Sequence, residues 1–151
     1  MDIERKKRLF PSYFANFNYD IPVAATQQEI TVYRACPTRK VERDSFLNSF
    51  EENGCVLREE WRIDDPQIYS LSAYENPKHL RRFVVVSPKY DPPYTLAKGH
   101  TTIDEGLSCR TKEWKPGYRG SHVDWWLFNG AQPWLAFCEV NYEQEIISWR
   151  K

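Results

Sequence analysis

The 151-residue chain has the length of one domain, and its 41% hydrophobic and 15% aromatic content supplies a core and excludes global disorder. Its 21 basic and 21 acidic residues cancel, so no overall field draws it to nucleic acid or to an anionic membrane. No apolar run approaches the roughly 18 residues of a membrane span, and the charged residues 1–8 lack the apolar run of a signal peptide, so a cytoplasmic location is expected.

In chain order, residues 1–28 read as an irregular segment tied to the body by Phe10, Tyr13, Phe14, Phe17 and Tyr19. Residues 29–36 are β-branched and aromatic, end at Pro37 and predict a strand. Residues 41–53 predict a helix, with Phe46, Leu47 and Phe50 on one face, Glu51 and Glu52 on the other, and Gly54 at the C-terminal cap. Asp64-Asp65-Pro66 marks a turn before an extended stretch over 69–74. Asn76-Pro77 reads as the cap and first position of a helix carrying Leu80, Phe83 and Val84. Its end is ambiguous, because the run Val84-Val85-Val86 suits a strand equally well. Residues 88–93 form a loop and 94–97 a short strand. Residues 98–120, rich in glycine and without a clear period, predict a long excursion. Residues 121–128 and 134–140, apolar on both faces and joined by Asn129-Gly130, predict an aromatic β-hairpin of interior strands. The expected fold is α+β: one domain over 1–151, a mostly antiparallel sheet, two or three helices, and that hairpin at the end.

Strand parity singles out two ionisable residues on apolar faces: Arg34 beside Ile30 and Val32, and Glu139 beside Leu135 and Phe137. Each needs a partner or an opening to solvent. The plain structural reading pairs them with each other or with nearby groups. A functional reading adds Ser70 and Ser72, two hydroxyls on one side of an extended segment that ends at Tyr74. In VYRAC, YSLSAY and FCEV the chain resembles the mono-ADP-ribosyltransferases, whose pattern is an early-strand Arg, a middle Ser-x-Ser segment and a late-strand Glu. Phe137 stands where many members carry a second Glu or Gln, and the middle segment is not their usual Ser-Thr-Ser. The resemblance implies a cleft for NAD. Arg34 would grip the pyrophosphate, the serines would order the strands, Tyr74 would stack on nicotinamide, and Glu139 would act as the catalytic carboxylate. In SHVDWWL the chain also looks like small proteins of bacteria and their mobile elements, and that likeness carries no mechanism.

Three other constellations carry weaker chemistry. Cys109, Cys138, His100 and His122 match no zinc spacing, so no metal is expected and the four scattered cysteines read as free thiols. His122 and Asp124 share a strand face with Trp126, a pairing that orients a general base or simply fixes a turn. Lys98, Arg110, Lys112, Lys115 and Arg119, interleaved with Trp114 and Tyr118, suggest either a solvated loop or a single-stranded nucleic-acid contact over 98–119. A third reading is a non-catalytic module that binds a protein partner through exposed Trp114, Tyr118 and Trp134. No glycine-rich phosphate loop, nucleophile elbow or dinucleotide fingerprint is present, which argues against a hydrolase, kinase or Rossmann enzyme.

Overall fold

A computed structural model describes residues 1–149. Six strands, β1 (Thr31–Cys36), β2 (Leu71–Tyr74), β3 (Thr95–His100), β4 (Gly106–Arg110), β5 (His122–Leu127) and β6 (Phe137–Glu139), form one antiparallel sheet in the order β4-β5-β2-β1-β3-β6. Four short helices accompany it: α1 (Ile3–Leu9), α2 (Ser49–Glu52), α3 (Arg81–Val84) and α4 (Tyr142–Trp149). The α+β architecture expected from the sequence is what forms. Among the described residues, no helix is long and apolar enough to cross a membrane.

Both sheet faces are covered. Val32, Ala73, Ala97, Val123, Trp125 and Phe137 form one face, closed by Phe46 and by Trp134. On the other face, Trp126, Leu107 and Cys109 lie under the N-terminal segment, where Phe10, Phe14 and Phe17 are buried against Tyr69. The aromatics of residues 1–28 do tie that segment down, though its start is not irregular. Asp2 accepts from the Arg5 amide and caps α1. Thr26 then bridges Ser108 and closes the outer edge of β4.

The expected helix over 41–53 breaks into a single 3₁₀ turn, Arg43–Ser45, and α2. Asn48 starts α2 through a reciprocal capping box with Glu51. Upstream, the Ser45 and Leu47 carbonyls are spent on the Arg34 guanidinium rather than on a helical ladder. Gly54, at φ 71°, ends α2 as its position suggested. Asn76-Pro77 opens a 3₁₀ turn, Pro77–Leu80, that runs into α3 and stops before Val85.

Two further expectations fail. Residues 98–120 are not one excursion, because 98–100 complete β3 and 106–110 are β4. The C-terminal hairpin does not form either. Its arms lie apart in the sheet: β5 pairs with β2 and β4, whereas β6 pairs with β3. Asn129-Gly130 does turn the chain, with Gly130 at φ 80° and Ala131 donating to the Phe128 carbonyl. Both edges of β5 are already taken, however, and Pro133 starts a further 3₁₀ turn, Pro133–Ala136, that carries the chain across to β3. The chain then ends the described region in α4, which the sequence reading passed over. Asn141 caps it by accepting from the Gln144 amide.

Candidate functional site

Arg34 is 7% exposed and sits where β1 and β2 part. The two strands register at a single pair, Tyr33 opposite Tyr74. Beyond it the guanidinium fills the gap. Nε donates to the Ser45 carbonyl at 2.7 Å, Nη1 to Ser72 at 2.7 Å and Nη2 to Leu47 at 3.2 Å. Three of its five N–H donors are thus committed to backbone. Burial lowers its proton affinity, and the Glu52 carboxylate opposes that shift. Partial desolvation on the protein side raises the carboxyl of the otherwise exposed Glu52 above its usual range, against the attraction of Arg34.

The two serines of the middle segment go separate ways. Ser70 precedes β2 and donates to Asp124 Oδ1 at 2.7 Å. Asp124, fully buried on β5, also accepts from Thr111 Oγ1 at 2.7 Å, from Trp114 Nε1 at 3.0 Å and from Gln67 Nε2 at 3.2 Å. Four donors on two oxygens mark a carboxylate. Its compensating cation is one step away, since Lys115 donates to Gln67 Oε1. The Thr111 hydroxyl has one proton, given to Asp124, so it accepts from His122 Nδ1 at 2.6 Å. His122 and Asp124 therefore meet through Thr111, with 3.6 Å between their own nearest atoms. Burial depresses the His122 pKa, and Asp124 pulls the other way. Sequence reasoning flagged the His122–Asp124 pair but missed that Asp124 is the hub. The signal was present: a carboxylate in the middle of a strand apolar on both faces needs internal donors.

Ser72 and Tyr74 turn toward a cavity of about 240 Å³ that Arg34, Glu52, Phe83 and Tyr94 complete. Tyr74 stands edge-on to His122 with ring centroids 5.1 Å apart, and burial raises its phenol pKa. Three of the five expected site residues, Arg34, Ser72 and Tyr74, therefore converge. Glu139 does not join them. It lies level with Arg34 on the same face, Arg34 facing Ala97 and Ala97 facing Glu139. Two strand spacings separate their backbones by about 10 Å. The Arg34 guanidinium turns the other way, toward β2, and Glu139 borders a separate cleft with Val84, Tyr94 and Tyr142. The carboxylate that does border the cavity is Glu52, the exposed last residue of α2, on the side of that helix opposite buried Phe50 as the sequence reading had it.

The groups of 98–119 are largely spent internally. Arg110 clasps Glu75 at 2.7 and 3.2 Å, and Trp114 packs edge-on to Trp126 while donating to Asp124. Trp114 joins the cluster under the N-terminal segment and Trp134 the cluster on the opposite face, so the aromatic patch expected from Trp114, Tyr118 and Trp134 is divided between two sides. All four cysteines are free thiols. Among the described residues no three His, Cys, Asp or Glu side chains gather as metal ligands. Compared with protein-family models, curated proteins and solved structures, the chain matches none.

Proposed function

We propose that the chain binds NAD in the manner of an ADP-ribosyltransferase-like domain, with the nicotinamide-riboside end in the cleft of Arg34, Glu52, Ser72, Tyr74 and Tyr94. The supporting observation is that Arg34, Ser72 and Tyr74, drawn from two strands far apart in sequence, line one cavity. At about 240 Å³ the cavity falls below the roughly 300–1,000 Å³ of sites for whole drug-sized ligands. It suits a ring and a sugar, with the diphosphate and adenosine left outside. Tyr74 and Tyr94 offer ring faces or edges to nicotinamide. The buried positive charge of Arg34, its donors partly engaged by backbone, acts on the site as a fixed field rather than as a phosphate clamp. The reaction class that follows is cleavage of the nicotinamide–ribose bond. The bonding electron pair leaves with nicotinamide, the positive charge left on the ribose is stabilised by a carboxylate, and the lone pair of water or an acceptor nucleophile forms the new bond to the sugar carbon, its proton passing to solvent. Glu52 takes that part in place of Glu139. A cytoplasmic setting, where NAD is at hand, fits four free thiols.

The test is a thermal-shift titration with NAD on the wild type and on Glu52→Gln, Tyr74→Ala and Glu139→Gln. NAD at ten times its dissociation constant should add about 1.4 kcal/mol, a rise of roughly 3–6 °C for this length. Glu52→Gln and Tyr74→Ala should diminish the rise, and Glu139→Gln should leave it intact. No shift at millimolar NAD, or a shift unchanged in both cleft variants, overturns the reading.

A further inference from the structure

We propose that the surface over residues 78–94, where exposed basic side chains flank half-buried rings, docks a single strand of nucleic acid together with Arg39. This proposal does not rest on the NAD reading, although Phe83 and Tyr94 border both sites. The whole chain is neutral, yet this stretch holds Lys78, Arg81, Arg82 and Lys89 against Asp91 alone. Arg110, Lys98 and Arg62 all have carboxylate partners. Arg81, Arg82 and Lys89 form no ion pair among the described residues. Their charge is left for an outside anion.

The cations are interleaved with rings. Phe83 and Tyr94 stack with centroids 5.9 Å apart at 8°, and Tyr90 meets both edge-on at 5.3 and 5.0 Å. Each ring carries a cation: Arg82 lies 4.6 Å from the Phe83 centroid, Arg39 5.0 Å from Tyr94 and Lys89 5.5 Å from Tyr90. Arg39 is held in place by donating to the Pro37 and Pro92 carbonyls, both at 2.9 Å. A guanidinium held over a tyrosine by two backbone carbonyls leaves its charge and remaining donors for a phosphate or a base. Between Arg81, Arg82, Phe83, Lys89 and Tyr90 lies an open concavity of about 650 Å³, room for a nucleotide.

Ring faces and guanidinium planes reward unstacked bases, and unpaired cations reward phosphates. A duplex hides its base faces and offers only the second term. The chemistry therefore selects a single strand.

The probe is a fluorescein-labelled twelve-nucleotide oligothymidylate, with oligouridylate of the same length, followed by anisotropy from about 50 mM salt upward. Three phosphate contacts at about 0.7 each predict a log–log salt slope near −2. Arg82→Gln or Lys89→Gln should each flatten the slope by about 0.7, and Tyr90→Ala should weaken binding roughly tenfold. Arg82 and Lys89 do not line the NAD cleft, so NAD thermal shifts in Arg82→Gln and Lys89→Gln should match the wild type, whereas Tyr90 packs on the cleft's Phe83 and Tyr94. No anisotropy change at low salt overturns the proposal, as does binding that the three variants leave unaltered. Equal competition by a duplex, or capture by phosphatidylserine vesicles without binding to either oligonucleotide, also overturns it.

Discussion

An arginine buried to 7% exposure is tolerable because three of its five donors are met. Arg34 gives three N–H groups to the Ser45, Leu47 and Ser72 carbonyls, and those carbonyls have lost their ladder partners in return. Truncation strands all three. With unsatisfied buried groups costing about 1–3 kcal/mol each, Arg34→Ala should lose at least about 3 kcal/mol, or roughly 6–12 °C of Tm. Arg34→Lys should recover little, because an ammonium on a flexible stem cannot span the fork that a planar guanidinium reaches. A fall of under about 2 °C by calorimetry would show that the carbonyls find other partners and that Arg34 is not a brace. The sequence marked Arg34 as a residue needing an explanation, because it stands on an apolar strand face. Its partners were not legible, since backbone carbonyls of a neighbouring loop leave no trace in residue types.

Elements were legible where one local signal decided them. Strand β1, the capped turn at Asn76-Pro77 and the stop at Gly54 follow from side-chain type and backbone preference. Elements that depend on remote partners were not. Asn129-Gly130 announces a turn but not which edge the next strand finds, and that was settled by β2 and β4 occupying β5. Glu52 escaped notice because it is an exposed acid on the polar side of α2, and only the tertiary placement of Arg34 brings a cavity beside it. The basic stretch 78–89 escaped because it was read for its apolar positions alone. What admits β6 beside β3 is Gly99. A Cβ there would lie 2.3 Å from the Ala136 carbonyl oxygen and 2.6 Å from the Phe137 ring. Gly99→Ala should therefore push β6 outward and lower Tm. Hydrogen exchange should quicken selectively at amides 137–140 while β5 stays protected. Uniform exchange across the sheet would contradict this local account.

For the whole molecule, the first step of the response to mild acid falls to the buried imidazole of His122. His122 is held neutral by burial, its folded pKa below the free value of about 6.5. The unfolded chain therefore binds the extra proton first, so stability should be flat above that pH and fall as the pH drops below it. Urea unfolding at pH 7.5 and 5.5 (roughly one unit either side of that value) should show the loss in the wild type and a smaller loss in His122→Gln. Equal losses would place the acid response elsewhere. The sheet that holds this network is also unevenly sewn. Strands β4, β5 and β2 form one leaf and β1, β3 and β6 another, and between them the register is Tyr33 opposite Tyr74 with the Arg34 clasp on Ser72 beside it. A tear along that line would leave each leaf with one raw strand border, and raw borders zip readily to those of another copy. The same arginine that walls the cleft thus adds a bond across the line along which two copies would trade halves.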